Sequence, residues 1–139
     1  MKNTDTKVKK DLTDKKINLI VEKTSTGFSA YAEKYPVYTT GETMTELKIN
    51  IVEALNLYNE EMELPEVKED QINIKLDLPQ FFDYYKVINA KALSSRVGMN
   101  QSLLAQYVGG QKKPSPKQVE KIISGIRELG RELIELQIG

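Results

Sequence analysis

Apolar residues change rhythm along this chain of 139 residues, and the changes divide it. "INLIVEKT" (17–24) is short, apolar and β-branched, which predicts a strand. "STG" (25–27) is turn material, and "FSAYAEKY" (28–35) sets Phe28, Ala30 and Ala32 against Ser29, Tyr31 and Glu33. That two-residue alternation predicts a second strand, paired with the first as a hairpin. "PVYTTG" (36–41) predicts a short third strand with Pro36 at its start, where a missing N–H is tolerated. "TMTE" then offers a capping box, with Thr43 as N-cap and Glu46 reaching back. From there Met44, Leu47, Ile51, Leu55, Tyr58 and Met62 recur at steps of three and four, one face of a helix of about five turns. "ELPEVKED" (63–70) is an acidic, proline-containing break, and "INIKLDL" (72–78) alternates as a fourth strand. The predicted order is strand, strand, strand, helix, strand.

After Pro79 the pattern is helical only, with helices expected at about 80–87, 90–97, 100–108 and 116–136. Ser115 is placed to cap the last helix, with Pro116 in its first position and Gln118 completing a capping box. Val119, Ile122, Ile123, Ile126, Leu129 and Leu133 keep helical spacing, while Gly125 and Gly130 are expected to bend or split the helix. Ile134, Leu136 and Ile138 also alternate, so a terminal strand is a second option there. The expected fold class is α+β: a flexible charged tail at 1–16, a sheet-plus-helix domain at 17–79 and an all-α domain at 80–139. There is no internal repeat.

Composition narrows the chemistry. The chain has no cysteine and no histidine, which removes disulfides, thiol nucleophiles, Cys/His zinc sites and imidazole acid/base catalysis together. An enzyme of this composition would depend on carboxylates, Lys, Ser or Tyr. A metal-dependent nuclease would have to use Glu22, Asp70 and Asp77, which must then converge. The expectation is a non-enzyme with no cofactor and no metal. No apolar run approaches a membrane span, and Met1 to Lys16 lacks the apolar centre of a signal peptide, so a cytoplasmic protein with no membrane partner is expected.

Charge separates the two halves. The net charge of zero conceals six Lys and three Asp in 1–16, five Lys and twelve Asp or Glu in 17–79, and nine Lys or Arg with five Asp or Glu in 80–139. These are +3, −7 and +4. Residues 86–121 hold seven basic residues and one acid, Glu120. A region that repels phosphate precedes one that attracts it, which suggests two tasks in one chain.

The second task has a specific shape. In "GMNQSLLAQYVGGQKKPSP" (98–116) Gly98 can make the positive-φ turn between two short helices. Leu93 and Val97 supply the inner face of the first helix, Ser94 is small where the second crosses it, and Met99 plugs the turn. Asn100 caps the second helix, from which Leu104 and Tyr107 face inward. Gln101, Ser102, Ala105 and Gln106 then face outward, and none is acidic. A glutamine bonds an adenine edge through two atoms, a contact worth about 1–3 kcal/mol of discrimination. Lys112 and Lys113 in the following loop, with Lys91 and Arg96 on the first helix, are the expected phosphate neighbours. A plain helical hairpin with a solvated polar face is the competing explanation.

"LSSRVGMNQSLLAQYVGGQKKPSP" resembles the Cro/repressor-type helix-turn-helix family, in which Gln101, Ser102, Ala105 and Gln106 fall where bases are contacted. "INLIVEKTSTGFSAYAEKYPVYTTGETMTELKINIVEALNLYNEE" (17–61) resembles the HicB antitoxin domain, and the region from "FFDYYKVINAKAL" onward resembles the C-terminal part of HicB-type antitoxins that carry a helix-turn-helix. The resemblance implies a partly degraded RNase H-like fold and a HicA-type toxin, a small basic RNase, as partner. On the long helix Ile49 and Leu57 point away from the expected sheet face, and with Glu46 and Glu53 they are the candidate toxin contacts. The expected function is an antitoxin that neutralises the toxin and represses its own operon on operator DNA, as a homodimer built on the final helix or a paired terminal strand. The alternative is a stand-alone transcription regulator whose first domain senses a small molecule.

Overall fold

The computed structural model describes residues 16–139. The tail expected at 1–16 lies, apart from Lys16, outside the described residues. The protein is α+β, with one four-stranded mixed sheet and five α-helices among the described residues. It divides between Asp77 and Leu78 into two compact units.

In the first unit the strands are β1 (Ile17–Thr24), β2 (Gly27–Ala32), β3 (Tyr38–Gly41) and β4 (Ile72–Leu76), in the sheet order β3-β2-β1-β4. β1 runs antiparallel to β2 and parallel to β4. Leu19 sits opposite Ala32 on one side and Ile74 on the other, and Val21 opposite Ala30 and Leu76. Side chains in register share a face, so these six form one apolar surface. Helix α1 (Met44–Glu61) lays Leu47, Ile51 and Leu55 on it, each fully buried. Burying each such side chain contributes about 1.5–3 kcal/mol. Thr43 caps α1 by accepting from Glu46 N–H at 3.1 Å. Glu46 returns a carboxylate oxygen to Glu42 N–H at 3.2 Å, so the reciprocal bond closes on the residue before the cap.

The sequence pattern overran three ends of this unit. β2 stops at Ala32 rather than Tyr35, because Ala32 N–H turns back to Val37 O at 3.0 Å and the chain bends through 33–36. Pro36 therefore lies in the bend, and β3 starts at Tyr38. Met62 does not continue the inner face of α1; it is 55% exposed, and the last inward position belongs to Asn59. The reason is the helix end. Leu64 N–H bonds Asn59 O at 2.7 Å and Glu63 N–H bonds Glu60 O at 3.3 Å, with Glu63 in the left-handed region at φ 56°. This is a Schellman closure, which reverses the chain before Met62 can reach the sheet. β4 ends at Leu76; Asp77 N–H still bonds Val21 O at 2.9 Å, but Leu78 belongs to the next helix.

The second unit contains α2 (Leu78–Tyr84), α3 (Ala90–Val97), α4 (Gln101–Val108) and α5 (Pro116–Ile134). α2 begins and ends earlier than the pattern predicts: Leu78 and Phe82, one turn apart, are its buried positions, and Val87 beyond its end is 89% exposed. α5 is one unbroken helix. Gly125 does not split it; Gly125 is buried, and a Cβ there would collide with Val97 Cγ1 of α3. The absent side chain is what lets α5 lie close to α3. The terminal strand does not form. Residues past Ile134 are outside any strand, and the described part of this unit has no strand edge to pair with. No helix among the described residues is long and apolar enough to cross a membrane.

Candidate nucleic-acid interface

α3 and α4 are eight residues each, too short to be stable alone in water. Their ends and their undersides hold them. Asn89 Oδ1 accepts from Ala92 N–H at 3.1 Å at the start of α3. At its end Gly98 adopts φ 67°, ψ 39°, while Met99 N–H bonds Ser94 O at 2.9 Å and Gly98 N–H bonds Ser95 O at 3.3 Å. Glycine enters this left-handed conformation without the Cβ penalty of other residues. Asn100 Oδ1 then accepts from both Ser102 N–H (2.9 Å) and Leu103 N–H (3.2 Å), satisfying two free donors of α4.

Underneath, Leu93, Met99, Leu104, Tyr107 and Ile122 are buried. Ser94 is also buried, and its hydroxyl donates to Lys91 O at 2.6 Å, so its polar atom is satisfied within α3. Val97 is half-buried and meets the glycine of α5. Leu104 and Tyr107 thus fix the rotation of α4, and rotation decides what its other side shows. Gln101, Ser102, Ala105 and Gln106 are all exposed. At helical spacing they occupy an arc of about 140°. The surface offers two amides, one hydroxyl and one methyl, with no carboxylate.

The basic residues divide by their neighbours. Lys91, Lys112 and Lys113 are exposed and take part in none of the ion pairs among the described residues. Lys112 N–H bonds Gln106 O at 3.2 Å, which ties the basic loop to the last turn of α4. Arg96 is exposed but pairs with Glu132 of α5, so part of its charge is spent inside the unit. Lys121, one of the seven basic residues of 86–121, reaches from α5 to Gly98 O at 3.3 Å and braces the turn. Nothing in the sequence pattern marked either role, since both join residues far apart in the chain.

Compared with protein-family models, curated proteins and solved structures, the chain matches none. Its functional reading rests on residues and geometry.

In the first unit Glu46, Ile49, Glu53 and Leu57 are all exposed, Ile49 at 55% and Leu57 at 69%. With Glu60, also exposed, they advance by three, four, four and three residues, which keeps them in one stripe along α1. Acidic and apolar positions alternate along that stripe. Glu60 was readable from the same spacing; Asn59 was not, because an asparagine on a helix carries no sign of burial. Glu22, Asp70 and Asp77 belong to no group of three or more carboxylates placed to hold a metal ion among the described residues.

Proposed function

We propose that this protein is a DNA-binding antitoxin of the HicB type, with two binding faces on two units. The observation that carries the DNA reading is the outer face of α4, where Gln101, Ser102, Ala105 and Gln106 are exposed while Leu104 and Tyr107 lock the helix from below. In this reading α3 and α4 form a helix-turn-helix, α4 enters the major groove, its amides read base edges, and Lys91, Lys112 and Lys113 neutralise phosphates. Arg96, one nitrogen of which is engaged by Glu132, contributes less to this charge than the lysines. Two copies on two half-sites give the operator complex, and the protein represses its own operon.

The antitoxin reading is supported by the charge of −7 over 17–79 and by the exposed stripe Glu46, Ile49, Glu53 and Leu57. Such a surface suits a small basic RNase, the HicA-type toxin, whose own substrate is a polyanion; opposite charge speeds encounter and apolar contacts slow release. A partly degraded RNase H-like ancestry agrees with a strand order that keeps the sheet and a carboxylate set that does not converge on a metal. The second reading, a small-molecule sensor, would need an enclosed cavity in this unit; the depression lined by Asn56, Asn59, Glu60, Leu64 and Glu66 opens broadly to solvent.

The test is fluorescence anisotropy with DNA from upstream of the gene, across a series of salt concentrations. Gln101→Ala with Gln106→Ala should abolish discrimination between operator and random DNA, about 1–3 kcal/mol per contact, and leave toxin neutralisation intact. Log affinity should fall with log salt at roughly −0.9 per phosphate contact, and Lys112→Ala should flatten the slope more than Arg96→Ala. Equal specificity in the double variant, or a flat salt response, would sink the DNA reading.

A further inference from the structure

α5 touches α3 and its turn at three places, in opposite order along the two segments. Lys121 Nζ donates to Gly98 O at 3.3 Å, Gly125 meets Val97, and Glu132 pairs with Arg96. The middle contact is packing: Gly125 is buried, and a Cβ on it would collide with Val97 Cγ1. It holds the two helices close whatever their long side chains do. Glu132 lies about two turns beyond Gly125 on the same helix, so its carboxylate stays within reach of Arg96.

This sets Arg96 apart from the other cations of the α3–α4 face. Lys91, Lys112 and Lys113 belong to none of the ion pairs among the described residues, whereas Arg96 has a carboxylate beside it. Both partners of that pair meet water, with 34% of the Arg96 side chain exposed and 54% of the Glu132 side chain. A second anion can therefore approach the guanidinium from solvent. The pair engages Nη1 alone, and a guanidinium has five donors, so a phosphate oxygen still finds an N–H there. What Glu132 removes is charge. A carboxylate in contact with Arg96 is far nearer than the Debye length of about 10 Å at 0.1 M salt, so an arriving phosphate meets a pair that is close to neutral.

We propose that Glu132 is a built-in competitor of phosphate at Arg96. Its carboxylate holds the affinity of the α3–α4 face for a polyanion below what the cations of that face would give alone. The inference rests on that face binding DNA, and it names a residue of α5, outside the helix-turn-helix, that sets how tightly. Phosphate contacts carry no sequence information, so the effect belongs to any duplex.

The test uses the full chain and a random-sequence DNA duplex, with fluorescence anisotropy read across a series of salt concentrations. Glu132→Gln keeps the shape and removes the charge. It is expected to raise affinity about two- to fivefold at low salt, the range an exposed ion pair can oppose, and the gain should shrink as salt rises. In a chain that already carries Arg96→Ala, the same change should have no effect, because the two residues act on one contact. Glu128→Gln removes an equal charge about one turn earlier on α5, from an exposed residue outside the ion pairs, and should change affinity less. Unchanged or weaker binding by Glu132→Gln, an equal gain from Glu128→Gln, or a gain that persists without Arg96 would overturn the proposal. If the unaltered chain does not bind the duplex at all, the DNA reading falls and the competitor role with it. If it binds with a steep salt response and Glu132→Gln changes nothing, only the competitor role falls.

Discussion

α1 and α4 each turn one side inward and offer the other, yet they are held by different means. α1 has eighteen residues and rests on a sheet through three fully buried side chains, Leu47, Ile51 and Leu55. α4 has eight residues, and it depends on the Asn100 cap, the Gly98 turn and two buried side chains, Leu104 and Tyr107. α1 presents acids alternating with aliphatics, and α4 presents amides. A long helix on a sheet can carry charge repulsion along its outer side because the burial beneath it is large. The outer side of α4 carries only neutral residues, and the nearest cations lie in the following loop and on α3, a helix of the same length.

The sharpest way to break the comparison is to weaken the support under one helix only. Ile51→Ala opens a cavity beneath α1 and should cost about 2–5 kcal/mol, seen as an early urea transition reported by the first unit. DNA affinity should be unchanged; a parallel loss would show that the two units do not fold separately. The next effect lies in α5, which supports the α3–α4 pair. Gly125→Ala should overpack against Val97 at a cost of about 1–3 kcal/mol, less the roughly 1 kcal/mol that alanine gains over glycine in a helix. Gly130, whose Cβ would meet open space, gives the control: Gly130→Ala should stabilise by about 1 kcal/mol. Equal signs for the two would mean that close approach is not why Gly125 is glycine.

The smallest effect compares two helix ends of the same design. α3 closes with Gly98 in the left-handed region, while α1 closes the same hydrogen-bond pattern with Glu63 there, at φ 56°. A side chain in that conformation costs about 1 kcal/mol. Glu63→Gly should therefore raise stability by somewhat less than that, since glycine also loosens the unfolded chain. A lower melting temperature would indicate that the Glu63 side chain contributes more than its backbone strain removes.

Much of this architecture was legible in local spacing. The strands at 17–24 and 72–76, the α1 face of Leu47, Ile51 and Leu55, the caps at Thr43, Asn100 and Ser115 and the turn at Gly98 all follow from patterns within a few residues. The exposure of Gln101, Ser102, Ala105 and Gln106 follows from the same periodicity, because burying Leu104 and Tyr107 leaves them no other side. The misplaced ends have one cause. Tyr35, Met62 and Leu78 fit the local rhythm, but the Ala32–Val37 turn, the Glu63 closure and the packing of α2 remove each from its expected element.

The sequence by itself determined which segments are strands and helices, how most of them begin, and that a negative half precedes a positive one, because period, capping and charge are properties of neighbouring residues. Only the tertiary structure decided that Gly125 admits Val97, that Arg96 meets Glu132, that Lys121 holds the Gly98 carbonyl and that Asn59 is buried with one acceptor unused. Each of these depends on which groups, separated along the chain, are packed within a few ångströms, and hydrophobic spacing along a single element carries no information about that.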